Sequence, residues 1–190
     1  MIKFRIFGVS FSISFLFLCL VSWFLVFDIN NIALICLLSS LVHELSHVLF
    51  LTLFSAKING ISFKVFGLSI KKNKQLTFLK EFLVLISGCF SNLILVLVFL
   101  KLNNMYVVLV NLIILTFNLM PISVFDGGQI LKLFLERFVG YEKSFKICLN
   151  ISIVFCCFLL VFVLFVVFYA NDIKLLFVFL IYLLAFIFED

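Results

Sequence analysis

The sequence predicts an all-α, polytopic membrane protein with about six transmembrane helices and a short β element after the second helix. Hydrophobic residues make up 66% of the 190 residues, and charged residues make up only 12%. Soluble domains average about half apolar and a quarter charged residues, so a soluble fold is excluded. The apolar residues form long continuous runs that do not alternate with polar residues, which excludes a membrane β-barrel.

The first apolar run follows Lys3 and Arg5 and predicts a retained span over about residues 7–27. The run is longer than the apolar core of a signal peptide, and no small-x-small cleavage site precedes Asp28. A second span is expected over about residues 32–55, after a short polar turn. Because about 20 helical residues cross the ~30 Å hydrocarbon layer of a bilayer, both runs are long enough to span it.

A polar, lysine-rich segment over residues 56–80 separates the second span from the third, and its centre predicts β-structure. Residues 61–70 have a period of two, and glycines stand at positions 60 and 67. We expect one or two short strands there and no other β-structure in the chain. An exposed edge of such a strand could pair with an extended peptide.

Four further spans complete the expected layout, over about residues 81–100, 106–125, 147–170 and 175–188. The small residues at 87, 88 and 91 allow another helix to approach the third span closely. Pro121, the only proline, breaks the fourth span, and a bilayer tolerates such a break only against protein or a water-filled cavity. A second helix is expected to begin at the Gly-Gly pair that follows. We expect a single integral-membrane domain over residues 1–190, with a three-helix core within about 32–128 and no soluble domain.

The basic residues predict how the chain is oriented. Twelve of the 14 Lys and Arg residues lie within residues 1–5, 56–80 and 126–146, and only Lys101 and Lys174 lie on the other side. Cytoplasmic loops are enriched in basic residues, so both termini are expected on the cytoplasmic side of a bacterial cell membrane. The net charge of +5 therefore reflects topology, and no nucleic-acid partner is expected.

A His-Glu-x-x-His motif lies in the second half of the second span. His43 and His47 are the only histidines in the chain, and Glu44 follows the first of them. Positions i and i+4 share one face of a helix, so both imidazoles can bind one metal ion. Glu44, about 100° round the helix, can serve as a general base at that ion. A metal site is favoured over a structural histidine pair, because ionisable groups at membrane depth are costly and such a pair needs no glutamate.

A catalytic zinc site needs a third protein ligand and an open position for water. With no further histidine, this ligand must be Asp, Glu or Cys. Asp126 is the best placed, because it follows the proline-broken span at the same cytoplasmic end of the membrane as the histidines. Asp126 could instead cap the helix expected to begin at Gly127, and Cys89 is a weaker candidate ligand. The sequence thus predicts one catalytic Zn²⁺ on His43, His47 and Asp126, with another divalent metal left open.

Such a site predicts metal-assisted amide hydrolysis. Zinc lowers the pKa of bound water toward ~7 and polarises a carbonyl, while Glu44 can move the proton from that water to the leaving amine. Asn92, Asn111 and Asn118 are costly in lipid and should face the interior. Each could donate to the oxyanion that develops, or could form only an interhelical hydrogen bond.

Three motifs, in this order, resemble the site-2 proteases, a family of intramembrane zinc metalloproteases. They are His43-Glu44-Leu45-Ser46-His47, then Ser87-Gly88-Cys89-Phe90-Ser91-Asn92, then Asn118-Leu119-Met120-Pro121 leading to Asp126-Gly127-Gly128. The resemblance implies that Asp126 is the third zinc ligand and Glu44 the catalytic base. It also implies that Asn92 and Asn118 lie near the active site or the substrate. The six-span layout looks most like the stage IV sporulation protein FB branch, which releases membrane-associated sigma-factor precursors.

Two residues depart from the family pattern. Ser46 stands where members often have Gly, and Cys89 stands where they commonly have Pro. Both side chains are small and neither change removes a ligand, so activity is expected. The sporulation branch usually carries a C-terminal CBS domain that binds nucleotide, whereas this chain ends at Asp190. The sporulation substrate and nucleotide control therefore stay open.

The expected function is that of an intramembrane zinc metalloprotease acting on membrane-embedded or membrane-associated proteins, with a sigma-factor precursor as one candidate substrate. The alternative is a catalytically silent relative that binds or escorts membrane proteins. A metal transporter is disfavoured, because the intramembrane ionisable groups cluster at one depth and do not form a path. The expected partners are a protein substrate and the lipid bilayer, and an inhibitory membrane partner or a homo-oligomer is left open.

Overall fold

The computed structural model describes residues 2–6, 9–26, 28, 31–56, 58–64, 67–72 and 76–170. These residues form six α-helices and four β-strands. In chain order they are β1 (Ile2–Ile6), β2 (Val9–Ile13), α1 (Phe15–Val26), α2 (Ile32–Leu53), β3 (Ile58–Lys64), β4 (Gly67–Lys72), α3 (Phe78–Lys101), α4 (Met105–Asn118), α5 (Asp126–Val139) and α6 (Tyr141–Ala170). The expectation of a mostly helical protein with a small β element is confirmed.

Helices α2, α3 and α4 pack against one another and form the core of the described structure. The inner face of α2 buries Ser39, His43, His47 and Leu51, which recur every four residues and so lie in one row. A buried hydrogen bond of 3.0 Å from Asn111 Nδ2 to Ser39 Oγ joins α4 to α2. Helix α5 packs against α3, and α6 packs against α5. The bundle therefore encloses a set of polar side chains, and many apolar residues of its helices lie on the outside.

Three described helices are long and apolar enough to cross a membrane: α2, α3 and residues Tyr141–Phe165 of α6. Their outer faces are apolar, and Leu45, Leu49 and Leu97 are each more than half exposed. Lipid tails solvate such faces, whereas water would not, so the chain is a membrane protein. Helix α4 is a shorter apolar helix of 14 residues.

These helices account for part of the expected six-span layout. Helices α2, α3 and α6 correspond to the second, third and fifth predicted spans, and α4 to the fourth. The predicted sixth span, about residues 175–188, lies outside the described residues. Six transmembrane helices are therefore not confirmed.

The prediction of a first span over residues 7–27 is wrong at its start. Strands β1 and β2 pair there as an antiparallel hairpin. The signal was present in the sequence, because Lys3 and Arg5 alternate with apolar residues, as do Ser10 and Ser12, which is the period of a strand. The helix that follows, α1, has 12 residues. It is about 18 Å long, which is shorter than the ~30 Å hydrocarbon layer.

The β-structure predicted between the second and third spans is confirmed, since β3 and β4 form an antiparallel hairpin. The expectation of no other β-structure is wrong, because β2 pairs with β3 in parallel and completes a sheet of order β1-β2-β3-β4. Strand β3 therefore has neighbours on both sides over residues 60–63. It does not offer the open edge expected for an extended peptide; the outer strands of the described sheet are β1 and β4.

The helix break predicted around Pro121 is confirmed, although the helix ends earlier than expected. Helix α4 stops at Asn118 and α5 begins at Asp126, so the span predicted to residue 125 is too long at its end. The chain between them turns through short-range hydrogen bonds, including Ile122 N–H to Met120 O at 2.8 Å. Proline has no N–H to continue the helical ladder, which explains why the turn forms here. The turn, residues 119–125, is called the Asp126 turn below because it delivers that residue.

Candidate metal centre

Helix α2 places His43 and His47 one turn apart on its buried face. Their side chains meet, with 3.2 Å between the two Nε2 atoms and an angle of 84° between the rings. Only 3% of His43 and 8% of His47 is exposed. The motif spacing therefore produces the arrangement expected of it: two imidazole nitrogens pointing at one buried position.

The other ring nitrogen of each histidine is held by α3. His47 Nδ1 lies 2.7 Å from the backbone carbonyl oxygen of Val84, and His43 Nδ1 lies 3.2 Å from Asn92 Oδ1. A carbonyl oxygen only accepts, so each Nδ1 carries the proton and donates it. Both Nε2 atoms are then lone-pair donors facing the shared position. Metal-binding histidines commonly have such a partner, which fixes the tautomer and the ring orientation.

Gly88 explains how α3 can come so close to the histidine rings. A Cβ atom built on Gly88 would lie 2.5 Å from His43 Nε2 and 2.6 Å from His47 Nε2. Real Cβ atoms do not approach other heavy atoms that closely, so any larger residue would displace a ring. The prediction that the small residues at 87, 88 and 91 allow another helix to approach closely is confirmed at Gly88, but the sequence does not show that the approach is made against the histidines.

Asp126, the first residue of α5, completes the cluster. Its Oδ2 atom lies 3.1 Å from His43 Nε2 and 3.2 Å from His47 Nε2. The residue in the N-cap position of α5 is Phe125, so the alternative in which Asp126 only caps this helix does not describe its geometry. The side chain instead faces the histidines across the interface between α2 and the start of α5.

The spacing of these three atoms fits a metal ion. A tetrahedral zinc site with ligand bonds of ~2.0–2.1 Å has neighbouring ligand atoms roughly 3.3–3.4 Å apart. Here the two Nε2 atoms and Oδ2 form a nearly equilateral triangle with sides of 3.1, 3.2 and 3.2 Å. Among the described residues, His43, His47 and Asp126 are a cluster of potential ligands whose donor atoms all lie within 4.8 Å of one another. Two imidazoles and one carboxylate, with one position left open, are a donor set typical of catalytic zinc.

The glycines after Asp126 let α5 begin tightly against the preceding turn. A Cβ on Gly127 would collide with the carbonyl oxygen of Leu119, and one on Gly128 with the carbonyl oxygen of Ile122. These obstacles are backbone atoms, which cannot swing aside as side chains can. The two glycines are therefore required by packing at this turn, in addition to the carboxylate that Asp126 contributes.

The remaining predicted site residues are placed differently from one another. Glu44 is half-buried on α2, directly after His43. Asn92 is fully buried, and its Nδ2 atom has no hydrogen-bond partner within the described part of the chain. Asn118 is half-buried and donates to the Ile114 carbonyl of its own helix at 3.0 Å. The structure thus brings Asn92 to His43, whereas the side chain of Asn118 is hydrogen-bonded within its own helix.

Two residues that depart from the family pattern also lie at the centre. The Ser46 hydroxyl donates to the His43 carbonyl oxygen at 2.6 Å and so is satisfied within α2. Cys89 is buried, with its Sγ 3.9 Å from Asp126 Oδ2. It lies outside the cluster of three mutually close ligand atoms, which fits its lower rank as a candidate ligand.

Comparisons with known proteins agree with the motif resemblance. A family model described as Peptidase family M50 matches residues 101–161. Stage IV sporulation protein FB of Bacillus subtilis (strain 168) is 32% identical over 160 residues, which cover 78% of this chain and 56% of that protein. The chain thus spans about half the length of that relative. Among solved structures, the site-2 protease from Methanocaldococcus jannaschii matches with a TM-score of 0.71 and 26% identity, covering 94% of this chain and 90% of that one.

Proposed function

Because the chain belongs to the site-2 protease family, we propose that it is an intramembrane zinc metalloprotease that hydrolyses peptide bonds of membrane-embedded or membrane-associated proteins. The observation that carries the proposal is the buried triangle of His43 Nε2, His47 Nε2 and Asp126 Oδ2. Its sides match the spacing of ligands around one zinc ion. Two of the three residues lie on α2, a helix of the core, and the third begins α5, which packs against α3, so the chemistry is expected within one integral-membrane domain.

Each residue of the centre has a proposed role. His43, His47 and Asp126 would hold the metal, and three protein ligands would leave the fourth position of a tetrahedral ion for water and substrate. A bound zinc ion would supply Lewis acidity toward water and the peptide carbonyl. Glu44, one residue after His43, accepts the proton of the attacking water and returns it to the leaving nitrogen, as a general base and then a general acid.

The buried amide of Asn92 is proposed to serve the reaction as well. Its Oδ1 accepts from His43, while its Nδ2 has no hydrogen-bond partner among the described residues. A buried donor without a partner is costly, which favours a ligand that fills the gap during turnover. The oxyanion of the attacked carbonyl is such an acceptor. Asn118 has its amide committed to Ile114, so we assign it only a place near the substrate.

We propose a multi-pass arrangement with both termini in the cytoplasm and the candidate centre toward the cytoplasmic side. The support is the distribution of basic residues, which concentrate in residues 1–5, 56–80 and 126–146. The centre lies near one end of α2 and at the start of α5, next to two of these segments. Reporter fusions after Lys101 and after Lys146 test this arrangement: the first should report the extracytoplasmic side and the second the cytoplasm.

The substrate class follows from the family and from one relative. The matched Bacillus subtilis protein is named for stage IV of sporulation. The sporulation branch that the sequence resembles releases membrane-associated sigma-factor precursors, so such a precursor is our first candidate substrate. The proposal of a membrane-associated protein substrate rests on the family and does not depend on this candidate.

Glu44→Gln provides the decisive experiment. Wild-type protein and the variant are purified in detergent, their zinc content is measured, and cleavage of a panel of fluorogenic transmembrane-segment peptides is followed. We expect both proteins to hold one zinc ion per chain, and cleavage by the variant to fall by ~10²–10⁴-fold, because general acid–base catalysis is lost. A wild-type protein that holds zinc but cleaves none of the peptides would instead support the catalytically silent relative.

A further inference from the structure

We infer that Ser152, on α6, is a positioning residue for the candidate metal centre, because its hydroxyl fixes the Asp126 turn. The inference rests on the proposed metal site and adds a residue that lies outside the three motifs. Among the described residues, α6 adds none to the cluster of proposed ligands, yet it contacts the turn that delivers Asp126.

The first step is the hydrogen bond between Ser152 and the turn. The backbone N–H of Ser123, three residues before Asp126, donates to Ser152 Oγ at 2.8 Å. The Ser152 hydroxyl in turn donates to the Cys148 carbonyl oxygen of its own helix, also at 2.8 Å. Because its proton is used in that bond, the Ser152 hydroxyl offers a lone pair to the N–H of Ser123. Only 1% of Ser152 is exposed, so no water competes for this bond.

The second step is that Ser123 is held from two directions. While its N–H points to α6, its carbonyl oxygen accepts from Gln129 Nε2 at 2.6 Å. Gln129 lies in the first turn of α5, and its own N–H donates to the Phe125 carbonyl oxygen at 3.0 Å. The turn is therefore fastened both to α6 and to the helix that begins with Asp126.

The third step is a second point of contact from α6. The Cys148 thiol, one turn before Ser152, donates to the Gly128 carbonyl oxygen at 3.8 Å. Cys148 and Ser152 thus touch the chain on both sides of Asp126, at Gly128 and at Ser123. Since α6 packs on α5, these contacts transmit the position of α6 to the Asp126 carboxylate, which must stay within about 3 Å of two histidine nitrogens.

Ser144 provides a matched control on the same face of α6. It lies two turns before Ser152 and is fully buried. Its hydroxyl donates only to Tyr141, at 2.7 Å, within its own helix. Replacing Ser144 by Ala therefore removes a buried hydroxyl without touching the Asp126 turn, and alanine is a favourable residue in a helix at both positions.

The experiment compares Ser152→Ala, Ser152→Thr and Ser144→Ala in the full chain. Zinc affinity is measured by competition with a chelator, and the ligand geometry is followed by the visible absorption of the Co²⁺-loaded protein. We expect Ser152→Ala to weaken zinc binding by about tenfold, the lower end of the range for residues that support a metal ligand, and to alter the Co²⁺ spectrum. Ser144→Ala should match the wild type, and Ser152→Thr, which restores a hydroxyl, should recover most of the affinity.

Hydrogen exchange of the peptide containing Ser123 gives a readout that needs no metal. We expect faster exchange there in Ser152→Ala and unchanged exchange in Ser144→Ala. Equal effects of the two alanine variants on affinity, spectrum and exchange would overturn the positioning role and indicate general packing of α6. A wild-type chain that takes up neither Zn²⁺ nor Co²⁺ would instead overturn the proposed function itself, so the two failures are distinguishable.

Discussion

The two halves of the candidate metal centre are built on different principles. The histidine half lies on one helix, α2, and α3 supports both rings through Val84 and Asn92. The aspartate half is the first residue of α5, delivered by a turn that depends on close glycine contacts and on a hydrogen bond that it donates to α6. One half is therefore fixed mainly by local helical geometry, and the other by contacts between segments far apart in the chain.

This difference determines how each half should respond to substitution. In the histidine half, the i, i+4 spacing sets the ligand positions before any tertiary contact forms. Changes around it should move one ring and leave the fold intact. In the aspartate half, the contacts that place Asp126 are also the contacts by which α5 and α6 pack. Substitutions there should therefore affect the stability of the protein as well as metal binding.

Removing Asp126, the proposed third ligand, is expected to have the largest effect on metal binding. Asp126→Ala leaves two histidines, fewer than a catalytic zinc site uses. We expect zinc affinity to fall by more than the ~10–100-fold typical of losing a supporting partner, and purified protein to contain little zinc. Elemental analysis of membrane-purified protein provides the measurement, with Glu136→Ala on the same helix as the control. Full zinc occupancy in Asp126→Ala would show that the third ligand lies elsewhere.

The sequence predicted the histidine half more completely than the aspartate half, and the reason is physical. The five residues from His43 to His47 contain all the information that the helix needs to align two ligands. Apart from the family resemblance, Asp126 could be ranked first only by its depth and its position after Pro121, because its distance from the histidines depends on the packing of α5 against α3. Asn92 was expected near the site, but the sequence could not show that its carbonyl oxygen accepts from His43.

The fold was predicted best where a helix is long and continuously apolar. Helices α2, α3 and α6 could be predicted from the sequence because their length and apolar composition are typical of membrane spans. The N-terminal hairpin was missed because its apolar strand runs directly into α1, and the alternation of Ser10 and Ser12 was outweighed by the length of the run. The parallel pairing of β2 with β3 joins segments about fifty residues apart, which no local pattern reveals.

Glycine substitutions test whether the two halves respond differently. Gly88→Ala places a Cβ against both histidine rings, whereas Gly128→Ala places one against the backbone of Ile122. Rings can rotate, so we expect Gly88→Ala to weaken zinc binding at least tenfold with little change in the melting temperature of the metal-free protein. Backbone atoms cannot move aside as easily, so Gly128→Ala should lower the free energy of unfolding by about 1–3 kcal/mol through overpacking.

Zinc affinity and the thermal melting of the metal-free protein are measured on the same preparations. Leu97→Ala, at an exposed position of α3, controls for any substitution on a membrane helix. If Gly88→Ala melts as early as Gly128→Ala, the histidine half is no more locally determined than the aspartate half, and the contrast between them is wrong.

A smaller effect separates the two histidines from each other. His47 donates to a backbone carbonyl that no side-chain change removes, whereas His43 relies on Asn92 Oδ1 at 3.2 Å. We expect Asn92→Ala to weaken zinc binding by about 10–100-fold, because the tautomer and orientation of His43 are no longer fixed. Asn92→Asp keeps an acceptor for His43 Nδ1 and should restore the affinity while lacking the Nδ2 donor.

This pair of variants also separates the two roles proposed for Asn92. If Nδ2 stabilises the oxyanion, Asn92→Asp binds zinc normally but cleaves peptides ~10²–10³-fold more slowly, the usual effect of losing one oxyanion donor.

Ser87→Ala serves as the control beside His47: the Ser87 hydroxyl already donates to the Val84 carbonyl oxygen at 2.7 Å and lies 3.4 Å from His47 Nδ1. Its loss should leave zinc affinity nearly unchanged. Zinc affinity that falls as much in Ser87→Ala as in Asn92→Ala would mean that both rings depend equally on side-chain support, and that the difference between the histidines is not real.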